Sequence, residues 1–575
     1  MDGNAWAQSG ACDGGRFEGN AGSGYLYDKK AEAASSTKSS ASAACSAFCA
    51  PLNTCSENKP YCKGNSRTNQ MTCSFGCFFN VCGWSCSTSY TCTCSCEKGL
   101  VHDIPGFNQS ADSPDGMIGI NVLLNQAATE EVLAALDLHA EVLDVIHEIN
   151  AVTVRARASE LPVIQSLEYV AGANPDAKRF ATGNVGVLPV SGLADGASIW
   201  NLDAINVTDF GTARTVEYDG EGVYIAVIDT GLPHNWREYF PEERIDTSLA
   251  RAFDGGGGSH GTVSQQPNGG ERDTNGHGTG TVSVILGVNY SGPEQLPVTF
   301  NGVAPMATII PVEVTGDGPA WSSVVTHALL YVTNLKVSGA LGDAPLVVNL
   351  SIVGTNPDWV ERAAIDYAIA NGVIVVAAAG NEGEVGLQYA DQGGMLYPAA
   401  HPPVISAANA GSVHQFPADD PTAIEWILRD VSENDPSQFY MSFDSSREFP
   451  GQDLDVTAPG TFIPAALTQN GKVDYSFING TSFASPHVAG VAALMLQKNP
   501  SLTQAQIEDI LESTAMPLPT GCVDMVAPFL SPGNEPTWGD HNIVFFGDGT
   551  ACWEANATGH GLVQADAALA ATPLP

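Results

Sequence analysis

Basic residues are scarce in this chain. Against 63 Asp and Glu stand only 23 Lys and Arg, a formal net charge of −40. Such a surface repels phosphate backbones and anionic lipid, which excludes most nucleic-acid roles and disfavours membrane surfaces. Most of the acidic excess follows residue 191 and reads as a solvated, solubilising surface. Long apolar runs are missing as well, none reaching the roughly 18 residues that would cross a bilayer. The start, Met1-Asp2-Gly3-Asn4-Ala5-Trp6, carries neither a basic nor an apolar stretch, so no export signal is visible. Histidine is absent before His102, and cysteine is absent between Cys96 and Cys522.

What cysteine there is lies in one place. Of 14 in 575 residues, all but Cys522 and Cys552 fall between Cys12 and Cys96. The spacing tightens through Cys73, Cys77, Cys82 and Cys86 to Cys92-Thr93-Cys94-Ser95-Cys96, among Ser, Thr, Asn and Gly. An even count in a small polar segment reads as a disulfide framework replacing a hydrophobic core, and it implies an oxidising compartment. The protein is therefore expected to be secreted, the sequence being shown without its export signal. Two readings compete. Zinc is opposed by the missing histidines and the lack of Cys-x2-Cys pairs; a cytosolic protein with reduced thiols is opposed by the cysteine density. Residues 1–100 are expected to form this cysteine-rich module, with an Ala, Ser, Lys and Gly linker over 20–44. Targeting, adhesion or chaperoning would each suit it. Cys522 and Cys552 are expected to pair with each other.

Residues 117–172 have a different texture. Met117–Leu124 reads as a strand, Ala128–Leu138 as a helix, Val142–Ile149 as a strand, with a turn at Asn150. Val152–Ala156 then reads as a strand, Ser159–Leu167 as a helix and Tyr169–Ala171 as a strand. That β-α-β-β-α-β order is ferredoxin-like. A Gly- and Pro-containing stretch over 173–197, with Lys178-Arg179 in it, reads as a polar, flexible connector.

From 198 to 575, strands and helices alternate. Strands are expected at 223–228, 308–314, 346–351, 373–379 and 404–408, and helices at 277–286, 321–335, 358–371, 482–498 and 504–513. Such alternation predicts an α/β fold with a doubly wound parallel sheet. Four motifs carry chemistry. The apolar run 223–228 stops at Asp229-Thr230-Gly231, putting a carboxylate at a strand's C-terminal end, where such sheets place ligand sites. His277 lies between Gly276 and Gly278 at a helix start. Val373–Ala379 ends in Gly380-Asn381. Gly480-Thr481-Ser482 places a serine on the first turn of a helix, its hydroxyl expected to be exposed and its N–H among the free donors there. Taken singly, each has a bland reading: helix cap, structural histidine, turn asparagine, N-cap serine.

Together, Asp229-Thr230-Gly231, His277-Gly278-Thr279, Gly380-Asn381 and Gly480-Thr481-Ser482-Phe483-Ala484-Ser485-Pro486-His487-Val488-Ala489-Gly490 resemble the subtilisin family of serine endopeptidases, over residues 200 to 570. The resemblance implies that Ser482 is the nucleophile, His277 the general base, Asp229 its partner and Asn381 an oxyanion donor. Ser351, Ile352, Val353 and Gly354 would form one wall of the substrate cleft, Leu396 its floor and Glu382 its rim. Residues 117–172 resemble the family's inhibitor propeptide, which its own active site removes, and the cut is expected between Lys178 and about Ser198. The Lys178-Arg179 pair keeps open a separate dibasic-specific protease. Catalysis needs no cofactor. Structural calcium is implied by the family, with ligands not located and Glu238 only a faint candidate. Expected partners are protein or peptide substrates and the chain's own propeptide, with no nucleic acid or membrane and a monomeric state. The family's usual second histidine is Gly280 here. Two alternatives stand beside this reading: a protease-like scaffold that binds without cleaving, and an adhesion protein acting through the cysteine-rich module.

Overall fold

The computed structural model describes residues 116–181, 199–208, 213–257, 262–267, 269–290, 298–316, 318–383, 394–413, 431, 435–442, 444–469, 472–525 and 549–575, and the strand backbones 16–26, 61–78, 81–97 and 184–186. The chain divides after Gln109. In the first unit, Arg16–Leu26 and Tyr61–Phe78 each pair antiparallel with Val81–Glu97. The register sets Cys62 opposite Cys96, Cys73 opposite Cys86 and Cys77 opposite Cys82. Strand backbone through Leu26 corrects the reading of a linker from residue 20; the rest of that linker lies outside the described residues.

The second unit opens with strands Met117–Leu124, Glu141–Ile146, Ala151–Arg157 and Val170–Pro175 and helices Glu130–Leu136 and Leu161–Gln165. The strands pair antiparallel in the order 141–146, 151–157, 117–124, 170–175. Thr129 caps the first helix, its hydroxyl accepting from the Val132 N–H, and Glu130 and Glu131 complement the positive helix start. Ile120, Val122, Val152, Val154, Leu136 and Ile164 fill a small core between sheet and helices.

The connector is not free chain. Its Gly and Pro content suggested flexibility, but Val170–Pro175 completes the small sheet, and Lys178–Ala181 and Asn184–Gly186 pair with strands of the following domain. Sequence texture misses this because an arm held by backbone hydrogen bonds to other elements needs no alternating apolar face of its own.

The large domain is built on apolar runs too short for helices. Leu346–Leu350 and Val373–Ala378 are buried throughout, which is what a central parallel strand covered on both faces requires. The sheet runs 264–267, 251–254, 308–313, 224–229, 346–350, 373–378, 405–412, with 439–441 and 456–459 both pairing with 405–412. Only the pairings 251–254 with 264–267 and 405–412 with 439–441 are antiparallel. Helices Ser322–Val337 and Trp359–Ala370 pack together, as do His277–Leu286 and Thr481–Lys498. The first strand, Tyr224–Asp229, lies mid-sheet between 308–313 and 346–350, so its C-terminal end falls at the topological switch where such folds open a crevice. Cys522 and Cys552 face each other across strands Gly521–Met525 and Gly549–Trp553 and are joined by a disulfide. Among the described residues, no helix is long and apolar enough to cross a membrane.

Candidate active site

Asp229 closes the central strand and is fully buried. One carboxylate oxygen accepts from the Thr230 N–H at 2.7 Å and faces His277 Nδ1 at 2.7 Å; the other accepts from Thr281 Oγ1 at 3.3 Å. His277 opens its helix beside Gly276, which has φ 91° and serves as the N-cap in a conformation that glycine tolerates. Gly278 passes so near the first motif that a Cβ there would overlap the Gly231 carbonyl oxygen. This close crossing brings the Asp-Thr-Gly and His-Gly-Thr turns together. Asp273, which sequence reasoning did not single out, clamps them. Its carboxylate accepts from Thr230 Oγ1, the N–H groups of Asn275, Gly276 and Thr279, and Thr279 Oγ1. Its spacing, four residues before the histidine in a polar loop, resembles any turn aspartate.

Ser482 starts the long helix Thr481–Lys498, whose N-cap Gly480 has φ 135°. Ser482 Oγ donates to the Ser351 carbonyl at 3.1 Å, and Ser351 Oγ donates to the Ser482 carbonyl at 2.6 Å. The next residue, Phe483, lays its ring 5.1 Å from the His277 ring, so the serine's helix and the histidine's helix meet at these residues. The expectation of an exposed hydroxyl is corrected: Ser482 is fully buried. The arm explains it. Lys178–Ala181 pairs with Ile352–Val353 and Ala320–Trp321 on one side of the serine, and Asn184–Gly186 pairs with Phe477, Ile478 and Asn479 on the other.

Asn381 follows strand 373–378, and its side-chain oxygen accepts from both the N–H and the hydroxyl of Thr481 at 2.9 Å. With the oxygen held there, the amide nitrogen is the end left to donate into the space beside Ser482. Helix-start N–H groups supply further donors at the same place.

Of the expected cleft residues, Ile352 and Val353 form the strand that the arm pairs with, and Gly354 exchanges two backbone hydrogen bonds with Tyr397 at 2.8 Å. Val353, Leu396 and Ala378 form a small apolar cluster of their own, and Leu396 lies against the bare face of Gly380. Glu382, expected at the rim, is drawn partly into the fold. It is half-buried, one carboxylate oxygen has no hydrogen-bond partner among the described residues, and burial pushes its pKa up to about 7. Glu238 sits in the short turn Trp236–Glu238 and joins no acidic cluster among the described residues. A carboxylate oxygen from each of Asp453, Asp455 and Glu508 lies within 4.8 Å of the others, and Asp455 Oδ1 is buried without a hydrogen-bond partner among the described residues.

A central parallel sheet with these loops at its carboxyl edge defines a subtilisin-like α/β fold. A profile of the subtilase family matches residues 220–549. The chain is 32% identical over 301 residues to Subtilisin E of Bacillus subtilis (strain 168), covering 52% of this chain and 61% of that protein. It is 31% identical over 301 residues to a subtilisin of Bacillus pumilus, covering 85% of it and 52% of this chain. The fold is shared with fervidolysin from Fervidobacterium pennivorans, a keratinolytic enzyme related to subtilisin, at TM-score 0.52 and 22% identity over 80% of this chain and 62% of that one. This chain belongs to the subtilase family.

Proposed function

We propose that the protein is a secreted serine endopeptidase made as a precursor that cuts itself. The observation that carries this reading is the buried 2.7 Å contact of Asp229 with His277 Nδ1, set beside Ser482 at a helix start and Asn381 at a strand end. Ser482 Oγ attacks a peptide carbonyl while His277 Nε2 takes its proton and returns it to the leaving amine. Asp229 accepts from Nδ1–H throughout, fixing the tautomer and stabilising the imidazolium. The Asn381 amide and the Ser482 N–H receive the oxyanion; removing one such donor costs roughly 3 kcal/mol of transition-state stabilisation. Residues 117–172 act as the inhibitor and 173–197 as the cleaved connector.

Calcium fits one place among the described residues. Asp453, Asp455 and Glu508 offer hard oxygen donors, and the orphaned Asp455 oxygen is the kind of group a cation satisfies. Bound there, calcium would brace strand Val456–Pro459 against helix Gln504–Thr514 and take no part in hydrolysis.

The test is labelling with a serine-reactive fluorophosphonate, alongside hydrolysis of a protein substrate. Labelling at Ser482 and proteolysis, both lost in Ser482→Ala, are expected. A properly folded, processed chain that neither labels nor cleaves would leave a binding scaffold as the reading.

A further inference from the structure

The arm that enters the cleft carries a side chain that no substrate-binding motif anticipated. Arg179 is fully buried. Its Nε donates to Glu361 Oε1 at 2.9 Å and its Nη2 to Glu361 Oε2 at 2.5 Å, the two-pronged geometry in which guanidinium and carboxylate bind most strongly. The Asn356 carbonyl takes a further hydrogen bond at 3.1 Å. Gly354 lies beneath the guanidinium so closely that a Cβ there would stand 2.6 Å from Nη1. Glu361, Asn356 and Gly354 all belong to the large domain, whereas Arg179 belongs to the arm.

The arm lies as a peptide in an extended-substrate site would, an added strand between Ala320–Trp321 and Ile352–Val353. Ala181 stands opposite Ile352, and the next pairing begins with Asn184 opposite Asn479, three residues before Ser482. By sequence count alone, Thr182 and Gly183 separate these two pairings, which makes the bond joining them the candidate cut. Arg179 is then the fourth residue before that bond.

Among the described residues, Glu361 has no other cation to serve. His401, whose Nε2 is 4.0 Å from Oε2, is kept neutral, its pKa pushed down to about 3 by burial first and then by Arg179 and Arg362. Once the arm departs, the pocket holds a carboxylate shaped for a guanidinium and lacking one, and refilling it with arginine restores both hydrogen bonds.

Resting on the proposed peptidase activity, we propose that Glu361 forms a substrate subsite selecting arginine at the fourth residue before the scissile bond, in protein substrates as in the enzyme's own arm. Internally quenched peptides X-Phe-Ala-Thr-Gly-Asn-Val, which copy residues 179–185 with X as Arg, citrulline, Lys, Leu or Ala, test it on the processed wild-type enzyme. Expected is a kcat/KM for Arg about tenfold or more above citrulline, Leu and Ala, with cleavage between Thr and Gly. Citrulline keeps the shape and loses the charge, so it separates ion pairing from packing. Glu361→Gln is expected to bring the Arg and Ala peptides to within about twofold, chiefly by lowering the rate on Arg. Leu or Ala cleaved as fast as Arg by the wild type overturns the subsite while leaving the peptidase standing. Failure to cleave any of these peptides or a denatured protein overturns both.

Discussion

At Val353 and Leu396, two side chains intrude where many subtilisin relatives carry glycine. They touch each other and Ala378, and both are buried beside the cleft. A large aromatic at the residue before the cut would have to displace them, and overpacking a close-packed site typically costs about 1–3 kcal/mol. Peptides differing only at that residue are therefore expected to be cleaved faster after Leu or Met than after Phe or Tyr, by tenfold or more. Leu396→Gly should restore the aromatics. Equal rates for Tyr and Leu in the wild type would contradict this. The arm's own residue at this position, Thr182, is small. Phe483 supports a second expectation. Many relatives place methionine after the nucleophile, where sulfoxide formation adds polar bulk beside the oxyanion site. The fully buried Phe483 ring here has no such chemistry, so activity should survive peroxide that leaves the disulfides intact. Rapid inactivation under those conditions would count against it.

Between elements, the small sheet is tied to helices Ser322–Val337 and Trp359–Ala370 by polar contacts that no motif announces. Asp358 caps the second helix by accepting from the Val360 and Glu361 N–H groups, and its other oxygen takes hydrogen bonds from Asn121, Asn174 and Ser322. Trp359 lies against Gly172, where a Cβ would sit 2.7 Å from the indole. At the edge, His327 Nε2 meets Asp144 Oδ2 at 2.6 Å. Burial works to lower the His327 pKa, but the Asp144 and Ser323 hydrogen bonds and nearby charge raise it overall. Asp176, deep in the junction, is raised by burial first and then by Asp358. Both groups bind protons more tightly when the small domain is docked. The docked state is thus favoured at low pH and loses that advantage as pH rises through the raised values. Under the proposed function, release of residues 117–172 after the cut should therefore speed up as pH rises above about 6.5, the ordinary histidine value. His327→Ala should flatten part of that dependence. The time course of emerging activity at about pH 6, 7, 8 and 9 checks it, spanning the histidine range; a rate that falls with pH would exclude the linkage.

Across the molecule, legibility followed how local the signal was. The helix read at 277–286 is His277–Leu286, bounded by Gly276 and Gly287, and the strand read at 373–379 is Val373–Ala378, an uninterrupted apolar run between Gly372 and Gly380. Asp229, His277, Asn381 and Ser482 stand out as candidates because each lies at or just beyond an element's end, where a turn and a polar side chain coincide. Glu361 does not. An acidic residue three positions after an N-cap reads as an ordinary complement to the helix start, and its partner lies 182 residues away. The arm's course through the cleft was hidden for the same reason, since backbone pairing to distant strands leaves no pattern in its own sequence. The buried Arg179 also bears on the proposed maturation: a dibasic-specific protease would find that residue inside the fold.

The most direct test of self-cleavage is the N-terminal sequence of the matured protein, read for wild type and Ser482→Ala expressed without other proteases. Expected are a wild-type product beginning at Gly183 and a Ser482→Ala chain that stays joined across residues 178–198. Normal maturation of Ser482→Ala, or a wild-type product beginning outside that stretch, would contradict it.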